Sequence, residues 1–276
     1  MTSKRSNTVG ELLNIITEDE GWLVVNKPAG LVCHPTKTDA SSSLIGRVRL
    51  YLGSEAHPHL VNRLDRETSG VVIIAKRDET ARELRRLWEN REVQKDYLAI
   101  VHGRVSDDSG RVAAPLGKDE HSRVAVKDCV RADGLPSQTE FRVKRRFSCI
   151  PSLFPASASG PCPPTSDVPP LAFDLPLSTF TLLRVQPLTG RKHQIRIHLA
   201  HIGHPVVGDK LYGGDEDLYL ALVENRLTPD QRRRLILPNQ ALHAEAVRFQ
   251  WREQPIQFRC EPEPWFSEFA AAANPG

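Results

Sequence analysis

The stretch HLVNRLDRETSGVVIIAK, from His59 to Lys76, ends in the strand around which the predicted fold is built. The run from Val71 to Ile74 is apolar and β-branched, which predicts a buried strand. Just before it, Thr and Ser hydroxyls that bond nearby backbone and a Gly that tolerates positive φ predict a turn. Asp65 therefore stands on a turn that leads into a rigid strand.

The two arginines beside Asp65 suggest what its carboxylate can do. Arg63 and Arg66 flank it in sequence, and nearby positive charge favours the ionised form of a carboxylate. An ionised, well-anchored carboxylate suits a nucleophile better than a general acid. The alternative is a surface charge cluster around a buried Leu64, because most exposed ion pairs contribute little.

Three further blocks accompany this stretch in the chain. They are KPAGLVCHP at Lys27–Pro35, KDYLAIVHG at Lys95–Gly103 and TGRKHQIRIHLAHIGHPVVGDKLYGG at Thr189–Gly214. Together the four blocks resemble the RluA family of RNA pseudouridine synthases, from about Leu12 to Pro264. The family pattern HRLDxxTSG is met except at Asn62, which replaces the usual His.

The resemblance implies an α+β fold of the pseudouridine synthase type. We expect a central mixed, mostly antiparallel sheet flanked by helices and loops, with a catalytic cleft across the sheet. The predicted domain covers residues 12–264, between a disordered tail at 1–11 and a C-terminal tail at 265–276. A segment rich in Pro and Ser, residues 148–176, is predicted to be an exposed insertion between two sheet strands.

Periodicity and capping residues place the main elements along the chain. The predicted helices are Ser41–Tyr51, Asp78–Arg91, Gln194–Ile202 and Thr228–Leu235. The predicted strands after Tyr97 are Tyr97–Val101, Arg111–Ala114, Val124–Lys127, Thr139–Lys144, Thr179–Val185, Leu242–Trp251 and Ile256–Cys260.

Composition favours a cytoplasmic globular protein. The chain has 276 residues, of which 39% are hydrophobic and 26% charged, and no apolar run approaches the roughly 18 residues of a membrane span. Its five cysteines are odd in number and scattered, which suggests reduced thiols. The net charge is only +3, but Leu175–Gly208 has no acidic residue; this segment predicts either a phosphate-facing surface or a solvated helix face.

Pseudouridine formation breaks a glycosidic bond, turns the base and rejoins it through carbon 5, which requires no cofactor and no metal. By resemblance, Asp65 is the nucleophile, and covalent catalysis divides the reaction into two easier steps. Arg196 would pair with this carboxylate through a bidentate fork and keep it ionised. Tyr97 would stack on the uracil and assist proton removal from carbon 5; a buried core tyrosine is the alternative.

The substrate base must be flipped out of its stack, and by resemblance Arg63 occupies the space it leaves. Asn62 is expected to change substrate contacts without loss of catalysis. Five more residues are expected to contact RNA: Arg66, Lys95, Arg191, Lys192 and His193. Three apolar residues are expected to line the pocket: Ile195, Leu199 and Leu211.

Two other functions and one other site stay open at this point. The same basic cleft could bind RNA without turnover, or the carboxylate could support hydrolysis that releases uracil. His201 and His204 are spaced to share a helix side, but no Cys or carboxylate is near in sequence to complete a zinc site. The expected partner is ribosomal or transfer RNA, bound by a monomer whose selectivity comes from the catalytic domain, its loops or the insertion.

Overall fold

A computed structural model describes residues 13–35, 40–53, 55–149 and 178–272 of the chain. The described residues divide into two units, one within Met1–Tyr97 and Leu242–Glu263, the other within Leu98–Ala241 and Pro264–Gly276. The strands are β1 Ile15–Glu18, β2 Trp22–Lys27, β3 His59–Leu60, β4 Ser69–Ala75, β5 Gln94–His102, β6 Ser109–Ala113, β7 Leu116–Lys118, β8 Asp128–Val130, β9 Gln138–Cys149, β10 Ser178–Pro187, β11 Leu242–Trp251 and β12 Gln254–Arg259. The α-helices are α1 Leu44–Leu52, α2 Asp78–Glu89, α3 Gln194–His201, α4 Asp217–Val223, α5 Pro229–Leu235 and α6 Pro264–Ala271.

Strand β4 is the centre of the first unit, as its apolar sequence predicts. Every residue from Ser69 to Ala75 is buried. One edge of β4 pairs antiparallel with β2. The other edge is shared, because β3 pairs with its C-terminal end and β11 pairs in parallel with Ser69 and Gly70. Hydrophobic clusters cover both faces of this sheet, so the start of β4 is a fixed point for the turn before it.

Gly70 permits the parallel contact between β4 and β11. Its φ is +119°, and a Cβ built there would lie 2.3 Å from the Ala244 carbonyl oxygen. Only glycine fits a backbone that approaches another strand so closely with positive φ. The glycine of the TSG sequence therefore has a packing role.

The second unit contains antiparallel β10, β9 and β6, which pair in that order, and the small β7–β8 ribbon. The α+β fold, with parallel and antiparallel strand pairs and flanking helices, is confirmed. Among the described residues, no helix is both long enough and apolar enough to cross a bilayer.

That residues 12–264 form one catalytic domain stays a prediction, while the described residues cluster into two units that each draw on separate stretches of the chain. The predicted C-terminal tail, 265–276, contains most of helix α6, because Phe266 and Phe269 are buried and the Phe269 ring lies 5.1 Å from that of Phe180. Ser148 and Cys149, the start of the predicted insertion, end strand β9. The rest of that insertion and the N-terminal tail, 1–11, lie outside the described residues.

One predicted strand is wrong. Val124–Lys127 forms a turn, in which the Lys127 N–H donates to the Val124 carbonyl at 2.9 Å, and β8 begins one residue later. The Lys127 ammonium contacts Asp119 and Glu216, so this turn is fixed by ion pairs that a strand pattern does not reveal.

Candidate active site

Asp65 lies on the turn between β3 and β4, residues 61–68, which is called the Asp65 turn below. The Thr68 N–H donates to the Asp65 carbonyl at 3.2 Å and closes the turn. Asp65 is half-buried, Leu64 is buried, and Arg63 and Arg66 are exposed. The predicted geometry of a carboxylate on a turn that leads into a buried strand is confirmed.

Lys27, the first residue of the KPAG block, holds the Asp65 turn through a bond to its backbone. Its side chain is fully buried, and its ammonium donates to the carbonyls of Pro28 and Leu31, both at 2.8 Å, and of Arg66 at 3.1 Å. Burial lowers the pKa of this ammonium to about 8. A buried cation that bonds three backbone carbonyls joins the two sequence blocks into one structure.

Cys33 provides a second connection to the turn. Its thiol lies 3.4 Å from the Leu64 carbonyl oxygen, and the Leu64 N–H points at the sulfur from 3.5 Å. Burial raises the pKa of the thiol, so it stays protonated at neutral pH and serves as a weak donor. The residue next to Asp65 is thus held through its own backbone.

Asn62, the position at which the chain departs from the family pattern, bonds the backbone of β4. Its Nδ2 donates to the Val71 carbonyl at 3.1 Å, and its Oδ1 accepts the Ile73 N–H at 2.9 Å. These groups lie on the edge of β4 between the parts paired with β3 and β11. The side chain therefore completes the sheet edge at a point that no strand covers, a role the RNA-contact prediction did not include.

Tyr97 lies in β5 and packs on the core cluster that contains Leu31, Cys33 and Leu64. Burial raises the pKa of its phenol, and the negative charge of Asp65 raises it further. The first unit therefore brings Tyr97 into electrostatic contact with Asp65. A phenol that stays protonated can present its ring and donate a hydrogen bond, and it could act as a base only after losing its proton.

Lys95 precedes Tyr97 by two residues in the same strand, so the two side chains leave the strand on one side. Burial lowers the pKa of the Lys95 ammonium, and Arg91 lowers it further. The predicted phosphate contact at Lys95 would thus be made by a partly buried amine.

Arg196, in helix α3 of the second unit, is held by Asp209. Its Nε and Nη2 donate to the two carboxylate oxygens at 2.7 and 2.8 Å, and the side chains are only 7% and 0% exposed. Burial raises the pKa of Asp209, but the Arg196 charge and the N–H groups of Tyr212 and Leu211 outweigh this, so the pKa lies below its ordinary value. The guanidinium also lies 4.9 Å from the centre of the Tyr212 ring.

Asp209 was not among the predicted site residues. The Nε–Nη2 edge of the Arg196 guanidinium is bonded to the Asp209 carboxylate, so the orientation of Arg196 is set within its own unit. The pairing of Arg196 with Asp65 stays a prediction.

Gln194 shapes the start of helix α3. Its Oε1 accepts from the Thr189 hydroxyl at 2.7 Å and the Arg191 N–H at 3.0 Å, while its Nε2 donates to the Gln138 carbonyl at 2.8 Å. The residue before it, His193, has a φ of +54°. The TGRKHQ sequence therefore folds around one buried amide, a residue that was not among the predicted site residues.

The three predicted RNA contacts before this helix have protein partners. Lys192 forms an ion pair with Asp128 at 2.9 Å, and Arg191 lies 3.4 Å from the Pro136 carbonyl. His193 Nδ1 lies 2.9 Å from the Tyr212 hydroxyl. Their contact with RNA stays a prediction, as does the pocket-lining role of the following three residues, each of which is buried: Ile195, Leu199 and Leu211.

The two histidines considered as metal ligands, His201 and His204, lie in different surroundings. His204 Nδ1 lies 2.9 Å from the His102 carbonyl oxygen, and His201 is exposed at the end of α3. Within the part of the chain that the structure describes, no group of three metal-binding side chains converges.

Comparison with known proteins identifies the family. Residues 21–201 match the model of a family described as RNA pseudouridylate synthase. The chain belongs to this family. Its match contains Asp65, Tyr97 and Arg196, and the resemblance to the RluA family is confirmed.

Individual relatives agree with this assignment. An uncharacterized RNA pseudouridine synthase of Aquifex aeolicus is 35% identical over 73% of this chain and 56% of its own length. Ribosomal large subunit pseudouridine synthase C of Pasteurella multocida is 32% identical over 90% of this chain and 64% of its own. The chain thus spans less than two thirds of these relatives. The solved structure of Human RNA Pseudouridylate Synthase Domain Containing 1 is 25% identical, with a TM-score of 0.62, over 91% of this chain and 84% of that one.

Proposed function

We propose that the protein isomerises specific uridines in RNA to pseudouridine, with Asp65 as the nucleophile. The observation that carries this proposal is the Asp65 turn, in which one half-buried carboxylate precedes a fully buried strand within the matched family region. The bonds from Lys27 and Cys33 support it, because a nucleophile must be held close to its reacting geometry.

The other predicted residues have roles that follow from the chemistry. The target uridine is flipped out at a cost of a few kcal/mol, and the exposed Arg63 fills its place and hydrogen-bonds neighbouring bases. Asp65 then detaches the base, either by attack on the ribose or by acting on carbon 2′ to give a glycal. Carbon 5 of the turned base bonds to carbon 1′ of the sugar, the carboxylate is released, and the proton on carbon 5 is removed. The protonated Tyr97 supplies a flat ring against the uracil, which supports the predicted stacking.

Arg196 is proposed to pair with the Asp65 carboxylate, as the family resemblance implies. Support comes from its guanidinium, which Asp209 and the Tyr212 ring hold in one orientation. A fixed guanidinium costs little entropy when it binds a second anion, which a flexible lysine could not match.

Ribosomal RNA is the proposed substrate class, ahead of transfer RNA. The support is the name of the Pasteurella multocida relative, which refers to the large ribosomal subunit. A protein acting on this substrate in a bacterial-type cell would work in the cytoplasm, and we propose that it does so as a monomer.

The proposal is tested with the purified full chain and total cellular RNA from cells that lack the gene. Pseudouridines are mapped after incubation with wild type, with Asp65→Asn and with Asp107→Asn, an exposed carboxylate in the other unit. New pseudouridine with wild type and Asp107→Asn, and none with Asp65→Asn, is expected.

Each other outcome has a distinct meaning. Product from Asp65→Asn would exclude Asp65 as the nucleophile. Free uracil would indicate hydrolysis, and RNA binding by wild type without any new pseudouridine would indicate a binding protein without turnover.

A further inference from the structure

A basic depression of about 720 Å³ lies on the second unit, formed by β9 and by the residues that precede and begin β6. None of the residues that line it is a predicted site residue. The lining residues are Arg104, Asp108, Ser109, Arg142, Val143, Lys144, Arg145 and Arg146. Five of these eight are cations and one is a carboxylate, so the lining has a net charge of +4.

Two of the five cations are committed to the protein. Arg146 forms an ion pair with Asp108 at 2.8 Å and donates to the Val105 carbonyl at 2.7 Å. Arg145 donates to the Ala270 carbonyl at 2.9 Å. These bonds link β9 to helix α6 and to the segment before β6, so both side chains have a structural role.

The remaining three cations, Arg104, Arg142 and Lys144, are called the open cations below. All three are exposed, and none has a hydrogen-bond or ion-pair partner among the side chains of the described residues. Like charges gathered in one depression repel one another when no anion is near. A polyanion bound there would remove this repulsion and gain several charge-assisted contacts.

A β-bulge explains how neighbouring cations of one strand come to line the same surface. Leu182 lies opposite Arg145 and Leu183 opposite Val143, so Lys144 has no partner in the register of β10. A bulge breaks the strict alternation of side chains and redirects the extra residue. The one-residue shift thus puts Arg142 and Arg145, opposite Arg184 and Leu182, on the same face of β9, where strict alternation would separate them.

We propose that the basic depression binds the phosphodiester backbone of RNA, which rests on the proposed function. Most of the residues that line the depression are hydrogen-bond donors, so it suits phosphates that repeat along a strand. Contacts of this kind fix the position of a nucleic acid without reading its sequence. The depression would thus give the enzyme affinity for the RNA that flanks the target uridine.

The experiment compares two triple variants of the full chain. One carries Arg104→Gln, Arg142→Gln and Lys144→Gln. The control carries Arg226→Gln, Arg233→Gln and Arg234→Gln, three exposed arginines that are each paired with a carboxylate. Both variants lower the net charge from +3 to 0, so a difference between them reports the position of the charges.

Binding to a fluorescein-labelled RNA hairpin is measured by anisotropy at several salt concentrations. Losing three phosphate contacts should reduce the slope of log K against log salt by roughly 2.1 to 2.7 and weaken binding by roughly 50- to 170-fold at about 0.15 M salt. The control should keep the wild-type slope. The charge-preserving pair Arg104→Lys and Arg142→Lys should also keep it, which separates loss of charge from damage to the fold.

Equal slopes for the two triple variants would overturn the proposal. This failure is distinct from failure of the proposed function, because wild type would still form pseudouridine. If the first triple variant does not fold, each open cation is replaced singly, and each should reduce the slope by roughly 0.7 to 0.9.

Discussion

Replacement of Asn62 by Ala separates a structural role from an RNA contact. The change removes the donor to the Val71 carbonyl and the acceptor for the Ile73 N–H, which were bonded at 3.1 and 2.9 Å. Val71 and Ile73 are fully buried, and each backbone group left without a partner costs about 1–3 kcal/mol. Because Asn62 itself is half-buried and water can enter, we expect the free energy of unfolding to fall by about 2–4 kcal/mol.

The assay is urea denaturation of the full chain, with Asn90→Ala as the matched control. Within the described ranges, the Asn90 side chain bonds only the exposed Glu92 side chain, at 3.1 Å, so its loss should cost less than about 0.5 kcal/mol. If Asn62→Ala unfolds like the control while its affinity for RNA falls, the sheet-edge role is wrong and the RNA-contact prediction is supported.

Two further changes test the packing around the Asp65 turn. Gly70→Ala should destabilise the protein by at least about 3 kcal/mol, since its Cβ would overlap the Ala244 backbone. The control Gly30→Ala also has a positive φ, but a Cβ there would meet nothing within 4 Å, so it should cost only about 1 kcal/mol. Equal melting temperatures of the two variants would contradict this reasoning. For Lys27, the pKa of about 8 in the folded protein lies below the ordinary value of 10.5 for a lysine. Between these pH values mainly the unfolded chain keeps the proton, so the Lys27 contribution to stability rises with pH. The free energy of unfolding of wild type minus that of Lys27→Met should therefore increase from pH 8 to pH 10 in denaturation curves, and a constant difference would exclude the lowered pKa.

Local sequence patterns were sufficient for the strand and the turn that contains Asp65. The apolar run from Val71 to Ile74 has one good solution, a buried strand, and the hydroxyl residues and Gly70 require a turn before it. Helix α6 was missed because its buried phenylalanines have no partner nearby in sequence. Phe269 packs on Phe147 and Phe180, which lie far from it in the sequence.

The residues missed at the site are those whose role is to position another side chain. Gln194 looks like an ordinary helix residue and Asp209 like a turn residue, because a sequence does not show which carbonyl or guanidinium a side chain will meet. Lys27 belongs to a recognised block, yet nothing local to it indicates that its ammonium bonds the Arg66 carbonyl. Such roles arise only when the fold brings distant segments together.

The sequence also did not show that Arg196 has a buried partner in its own unit. The resemblance assigns it one anion, Asp65, whereas the structure gives its guanidinium a second, fully buried anion in Asp209. A buried carboxylate without its cation is costly, so Asp209 and Arg196 depend on each other whatever else the arginine binds. A loss of activity on replacing Arg196 would therefore combine lost folding energy with lost pairing, and only stability and pseudouridine formation measured on the same variant can separate the two.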